Sequence, residues 1–469
     1  MSRSWSFAFV GVTLIAGACA RRQSYRPAPI APVAEAERYA DRRLRDPALA
    51  RFLAEHEAAL HDSAWSSRQL ALAALYFRAD VTEAQRTLAA ARAAEITAGA
   101  RPAPSATATA DRAERPDEGN PTPWSFSLTA GWTLELGGKR AARIAHARAV
   151  TLASRLRLEA DAWEIAQSAR QAAVVALGAK RELADASAER AGLDSVRTLL
   201  HARFVEGRLT STDVARAETD VQTSAVAVAD AARANTAARI ALARTLAVPL
   251  REVESLPIRE ESNSACAALD TLAPDSLEAR ALTTRADVGA ALADYSAAEA
   301  DLALAIAQQY PDITIGPGIA WEQGIQRWVL SLAIPSIAVN RARGPIAEAR
   351  ARRAAQAARV AFVQDSILAA VDSSVAACRT TRADVASADS LVSATRAQLA
   401  LANAAYQRGE IGQTEIAFAH LAVRRAERTR EEAVRRGVLA GIMLEQAAGS
   451  WLSGPPIRWP DLLRVTSNP

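Results

Sequence analysis

The sequence predicts a mainly α-helical chain with a small β portion, built as a duplicated strand-strand-helix-helix unit. Three observations predict it: long alanine-rich stretches without Gly or Pro, short segments of strict two-residue alternation, and an internal repeat. Half of the 469 residues are hydrophobic, yet only 5% are aromatic and Met occurs twice. That composition suits long helices packed through small side chains better than one compact aromatic core. The net charge is +4, but the cations are mostly Arg interspersed with Asp and Glu. Such mixed charge reads as solvated helix faces and argues against a nucleic-acid footprint.

Matched segments establish the repeat. Arg-Ala-Asp-Val at Arg78 to Val81 recurs at Arg285 to Val288, and each copy leads into an alanine-rich stretch that ends at a proline, Pro102 or Pro311. "ARIAHAR" from Ala142 aligns with "GPIAEAR" from Gly344, and "ARFVEGRLTSTDVARA" from Ala202 aligns with "AAYQRGEIGQTEIAFA" from Ala404. Both alignments are offset by 202 residues (144 to 346, 207 to 409), so the helical span between them carries no net gap.

In chain order, Arg3 precedes an apolar run from Phe7 to Ile15 and small residues up to Cys19. Residues 1–18 read as a signal peptide, too short to span a bilayer. Cys19 sits where a bacterial lipobox places its lipidated cysteine; ordinary cleavage at Ala18 or Ala20 is the alternative. Residues 19–65 read as the linker and helix that follow the anchor. Repeat one covers 66–248: a helix over 66–99, strands near 104–110 and 124–136, and long helices over 139–205 and 210–248. A Pro-, Ser- and Glu-rich linker occupies 249–276. Repeat two covers 277–447: a helix over 277–309, strands near 312–321 and 327–335, and long helices over 342–407 and 412–447. A tail over 448–469 follows. No later segment reads as an apolar run of transmembrane-helix length, which leaves a periplasmic chain or one that spans a membrane by strands. Cys266 and Cys378 lack metal spacing, and the sequence leaves their pairing open.

The strand at Trp124 alternates strictly. Trp124, Phe126, Leu128 and Trp132 share one face, and Ser125, Ser127, Thr129 and Thr133 share the other. Trp328, Leu330 and Leu332 repeat the apolar face in copy two. Lipid-facing barrel strands and a sheet packed on a soluble core both fit this pattern. Four strands are too few to close a barrel, and open edges in lipid strand unpaired backbone groups. The barrel reading therefore requires several chains, and three copies would bring twelve strands.

A helix over 139–205 would extend about 100 Å, as a rod or coiled-coil element. The shorter helices, stacked end to end, would run beside the long ones. The turns between them hold Phe204, Gly207, Thr210 and Asp213 in copy one, and Tyr406, Gly409, Gly412 and Glu415 in copy two. Gly207 and Gly409 suit a left-handed helix end, and Thr210 with Asp213, and Gly412 with Glu415, suit a cap and an acidic N3 residue at the start of the returning helix. Such turns make either a plain capped hairpin or a docking tip for another coiled-coil protein. Glu206, Asp213, Glu410 and Glu415 lie where a ring of carboxylates would draw cations to a narrow mouth, and helix capping explains Asp213 and Glu415 equally well.

Nothing points to catalysis. His56, His61, His146, His201 and His420 form no ligand cluster, and no Walker loop, zinc motif, nucleophile elbow or dinucleotide fingerprint is present. No catalytic residue, cofactor or resident metal is expected.

The duplicated halves, the Gly-centred turns "FVEGRLTSTDV" and "YQRGEIGQTEI" and the linker between halves resemble the TolC family of trimeric outer-membrane efflux ducts. Residues Arg285 to Arg353 are similar to its cobalt-zinc-cadmium, heavy-metal branch: a Pro-Asp before the strand, a Trp-acid-Gln-Gly loop, and Asn-Arg-x-Arg-Gly-Pro-Ile opening the long helix. Copy one departs from the family form at Ser105 to Ala110, a poor strand. The resemblance implies a TolC-like homotrimer with a shared barrel in outer-membrane lipid and a helical tunnel through the periplasm. It implies tips that meet a periplasmic adaptor (membrane fusion) protein coupled to an inner-membrane pump. No nucleic acid is implied, and the duct itself is passive. The cargo implied is heavy-metal cations, with drugs or other small molecules as the alternative. A periplasmic coiled-coil adaptor or scaffold lipoprotein is the rival class, and a Trp-rich lipid face counts against it.

Overall fold

The computed structural model describes residues 25–56, 63–114, 122–261, 264–322, 325–334 and 342–452. The expected signal peptide, Cys19, the Asn340 region and the tail beyond Leu452 lie outside the described residues. Residues up to Arg42 form a unit of their own. Its helix α1 (Pro32–Ala40) starts on a proline that has no amide hydrogen to lose.

The second unit runs α2 (Pro47–Glu55), α3 (Ser67–Phe77), α4 (Ala79–Gly99), β1 (Ser105–Arg112), β2 (Trp124–Leu134), α5 (Lys139–Val205) and α6 (Ser211–Leu246). A short linker helix α7 (Ser264–Ala267) precedes α8 (Pro274–Thr284), α9 (Ala286–Ala307), β3 (Ile313–Glu322), β4 (Ile325–Ala333), α10 (Arg343–Gln407) and α11 (Gln413–Ala448). Mainly helical with a small sheet, it is of the predicted fold class.

The single helices expected over 66–99 and 277–309 need correction. Each is two helices, broken at the repeated Arg-Ala-Asp-Val. Arg78 (φ −74°, ψ 129°) and Arg285 (φ −70°, ψ 129°) are extended. Arg78 Nε donates to both carboxylate oxygens of Asp80 at 3.0 Å, and Asp80 Oδ1 accepts from the Val81 amide at 3.1 Å. Arg285, Asp287 and the Val288 amide repeat this arrangement. The arginines also reach the carbonyl ends of the returning helices: Arg78 Nη1 donates to Thr245 O, and Arg285 Nη1 to Gln446 O and Ala447 O. At each joint one helix ends where another starts. The cation faces the negative end and the aspartate the positive end.

Other boundaries move by a few residues for local reasons. α8 starts at Pro274 because proline suits the first helical position. β2 ends at Leu134, since Glu135 turns to pair with Arg143 and the Leu136 amide donates to Asp312 at 3.2 Å.

Two cores hold the middle of this unit. Copy one buries Leu70, Ile165, Ala169, Ala173, Ala176 and Leu242. Copy two buries Leu277, Ile367, Val371, Val375, Cys378 and Leu444. Cys266 and Cys378 form a disulfide, which ties the inter-repeat linker to α10. By length and composition one stretch of α10 is apolar enough to cross a membrane, contrary to the sequence reading. Its Ile367, Val371 and Val375 are buried in the copy-two core, while most of the stretch is not buried.

The sheet has the order β1-β2-β3-β4, antiparallel throughout. β1 and β4 therefore each pair on one side only within the described sheet.

Candidate functional site at the sheet face and the hairpin tips

Register converts the alternation into two chemically distinct surfaces. Phe126 lies opposite Trp321, Leu128 opposite Ile319 and Trp132 opposite Ile315. Ile315, Pro317 and Ile319 in turn lie opposite Leu332, Leu330 and Trp328. The expected strand residues of both copies thus form one continuous apolar face. Trp124, Phe126, Leu128 and Trp132 are exposed, as are Leu332, Leu330 and Trp328, the last at 82%. Trp124 stacks on Phe126 with ring centroids 6.1 Å apart, and Phe126 meets Trp321 at 6.0 Å, which gathers aromatics at the loop end.

The opposite face is small and hydroxylic along most of its length, with Asp111, Glu322 and Arg327 at its loop end. Thr109 and Ser127 share a hydrogen bond at 2.6 Å, and Thr133 and Thr314 one at 3.3 Å. Gly318 packs so closely that a Cβ there would lie 2.6 Å from Leu128 O.

At the tips, both hairpins end in the same way. Gly207 (φ 74°) and Gly409 (φ 76°) are left-handed. The Arg208 amide donates to Arg203 O and the Gly207 amide to Phe204 O; the Glu410 amide donates to Ala405 O and the Gly409 amide to Tyr406 O. These paired bonds are the Schellman closure. A Cβ at Gly207 or Gly409 would meet nothing within 4 Å, so backbone conformation and not crowding favours glycine there. Phe204 and Tyr406 are exposed on the last turns before the tips.

The returning helices start differently. Thr210 Oγ1 accepts from the Asp213 amide at 3.3 Å, and Asp213 Oδ2 accepts from the Thr210 amide at 3.1 Å, a complete capping box. The Thr210 hydroxyl, donating to Asp213 Oδ2 at 2.7 Å, and then the Thr210 amide hold the Asp213 carboxyl below its usual range. In copy two the N-cap is Gly412, with no side-chain cap. Glu415 turns instead to Arg203 of the other hairpin, with two bonds of 3.2 and 3.3 Å. The Arg203 guanidinium lies over Gly412, where a Cβ would meet Nη2 at 2.0 Å. The guanidinium holds the Glu415 carboxyl below its usual range. Glu206 and Glu410 pair with Arg208 and Arg408 beside them. All four tip carboxylates are thus engaged by protein groups.

Away from the tips, His146 Nδ1 lies 2.9 Å from Asp301 Oδ1. Among the described residues no group of three or more His, Cys, Asp and Glu is arranged to hold a metal. Sequence reasoning missed the Arg203–Glu415 contact between hairpins. The 202-residue offset carries the only signal for it, since it sets the two turns side by side.

No protein-family model matches the sequence, and no curated protein matches it significantly. Solved structures do match. The chain is similar to the outer membrane protein VceC of Vibrio cholerae at 19% identity and a TM-score of 0.66, over 82% of this chain and 96% of that one. It is similar to the outer-membrane channel OprN at 20% identity and a TM-score of 0.65, over 91% and 98%. A membrane protein from Pseudomonas aeruginosa matches at 21% identity and a TM-score of 0.66, over 81% and 90%. The fold is therefore a TolC-like, outer-membrane-channel fold.

Proposed function

We propose that the chain is the outer-membrane duct of a three-part efflux system: a homotrimer whose copies share a twelve-stranded barrel and a helical tunnel. The apolar sheet face with one-sided edges carries this reading. In lipid, β1 and β4 need partners for their outer backbone groups. The outer edge of β4 on one copy pairing with that of β1 on the next satisfies both and closes the ring. The apolar face then meets outer-membrane lipid, and the hydroxylic face lines water. Lipidation of Cys19 would add an anchor. The tips at Gly207 and Gly409 present Phe204, Tyr406 and the capped turns to a periplasmic adaptor coupled to an inner-membrane pump. The duct has no reaction of its own to catalyse and binds no cofactor; the pump supplies the energy. For cargo we favour heavy-metal cations, on the likeness of Arg285 to Arg353 to the heavy-metal branch of the family. Drug or small-molecule export is the alternative.

The test is direct. Purified in detergent, the protein should run as a trimer by light scattering and form pores in a planar bilayer. A water-soluble monomer without conductance overturns the duct. Bulky substitution at Gly207 or Gly409 should abolish export and leave the trimer intact; unchanged export in both removes the docking role. A deletion strain sensitised to metal salts and not to drugs supports the metal cargo, and the reverse pattern rejects it.

A further inference from the structure

Cys266 and Cys378 start far apart and finish out of reach. They are separated by 112 residues, and both are fully buried, at 0% exposure, in the copy-two core. Cys378 enters that core from α10. Cys266 enters it from the linker helix α7 and has α11 on its other side, with Sγ 3.6 Å from Gly437 O. Leu277 and Ala281 of α8, Val371 and Val375 of α10, and Ala440 and Leu444 of α11 close around the bond. A protein disulfide forms when a thiolate attacks another disulfide, which requires access to the sulfur. Sulfurs this deep cannot meet such a partner once the core has closed, so the bond forms while the linker is still undocked.

A second contact shows how the two thiols find each other. Helix α7 continues into a 3-10 turn, Ala268–Asp270. Asp270 follows Cys266 by four residues, and Arg382 follows Cys378 by four (266 to 270, 378 to 382). Residues four apart share a helix face. Arg382 Nη1 donates to Asp270 Oδ1 at 2.7 Å, and Nη2 to Oδ2 at 2.9 Å. Two such parallel bonds fix direction as well as distance. Both contacts run in the same chain sense, which lays the linker turn parallel to α10. The cysteine Cα atoms are 5.5 Å apart, the ordinary span of a disulfide. The ion pair itself stays wet, with side chains 37% and 65% exposed. It can therefore form before any apolar surface is buried, and it adds little to stability afterwards. Closing so long a loop costs entropy, which an early contact of this kind offsets at the moment of capture.

We propose that the chain is a substrate of a disulfide-bearing thiol oxidase, and that Arg382 and Asp270 are positioning residues that set the register in which its bond closes. This rests on export of the chain and not on its forming a duct. Cys266 lies on the segment that docks last, so its thiolate attacks the oxidase disulfide; a bond forms between the two proteins and one oxidase sulfur leaves as thiolate. Arg382 then takes Asp270 and the linker turn settles on α10. The Cys378 thiolate attacks the Cys266 sulfur and expels the second oxidase sulfur. The chain's two thiols give up two electrons and two protons, and one oxidase disulfide becomes two thiols. The copy-two core closes over the finished bond.

Pulse-labelled full-length chain in an exporting bacterium, quenched in acid and marked at each free thiol with maleimide-polyethylene glycol, tests this. Wild-type chain should close its bond within the chase, and should keep both thiols in cells that lack the oxidase; equal rates in the two cells overturn the oxidase step. Cys378→Ser should carry a mixed disulfide with the oxidase on a non-reducing gel and Cys266→Ser should not; equal or reversed trapping overturns the order of attack. Arg382→Ala should slow closure several-fold, and Asp270→Arg/Arg382→Asp should restore it. Closure as fast as wild type in Arg382→Ala, or slow closure that the exchanged pair does not rescue, overturns the positioning role. The oxidised Arg382→Ala protein should melt with the wild type, which separates positioning from stability; a lower melting temperature in step with the slower closure rejects positioning. Purified oxidase should close the bond in the reduced, urea-unfolded chain and leave the reduced, folded chain untouched, and equal reaction of both overturns closure before burial.

Discussion

The two repeats share one plan but end their second long helix differently. Copy one closes α6 on Ala247, left-handed at φ 53°, and copy two closes α11 on Gly449, φ 64°. The two positions differ by the same 202 residues. Both ends make the same closure, from Val248 to Ala243 O and from Ser450 to Glu445 O. Alanine accepts the strain at one end, whereas at the other a Cβ would lie 2.3 Å from Arg285 Cγ. Arg285 thereby reaches two carbonyls, at 3.2 and 2.9 Å, and Arg78 reaches Thr245 O at 3.5 Å. The disulfide adds to the asymmetry, because the counterpart of Cys378 in copy one is Ala176. The duplication thus left one half with spare conformational freedom and fastened the other.

This contrast is open to test, and the disulfide should show the largest effect. Cys378→Ser frees a bridge of 112-residue separation and should destabilise by about 2–5 kcal/mol, read as a lower melting temperature under oxidising conditions; Ala176→Ser, its counterpart, should cost less. Next comes Gly449→Ala. Left-handed strain together with displacement of Arg285 should cost about 2–3 kcal/mol, against about 1 kcal/mol for Gly207→Ala, where space is open. In the opposite direction, Ala247→Gly should stabilise by about 1 kcal/mol by denaturant titration, and no gain would mean that α6 carries no strain. The smallest effect should be at the tip. Glu415 ionises more readily in the folded chain than in the unfolded one, because Arg203 holds its charged form. The pair's contribution is therefore present above the ordinary glutamate value and is lost as pH falls through the lowered one. Unfolding curves should lose at most about 1 kcal/mol across that window, and Glu415→Gln should remove the change.

Much of this architecture could be read from local pattern. Alternation identified the apolar face of Trp124 and Trp328 because a strand's two faces are written in consecutive residues. Glycine and capping chemistry at Gly207 and Thr210 marked the tips because helix ends are satisfied locally. The break at Arg78 was not legible, since an Arg-Ala-Asp-Val run without Pro or Gly continues a helical composition. Its cause lies in a carbonyl some 167 residues away. Trp451 was likewise hidden within a Pro-containing tail, because its partners Arg170 and Trp163 come from the other repeat. Arg203 reads as a solvated helix residue until the second hairpin is set beside it.

On the duct reading proposed above, the hydroxylic face of the sheet bears on how fast cargo would move. Ser125, Ser127, Thr129 and Thr133 of β2, with Thr314, Gly316 and Gly318 of β3, offer dipoles and bare backbone, and the charges Asp111, Glu322 and Arg327 on this face are confined to its loop end. Such a wall wets readily and trades hydrogen bonds with a passing ion's hydration shell without stripping it. Cargo that is never dehydrated has no well to climb out of, so friction with moving water, and not affinity, would set its transit time.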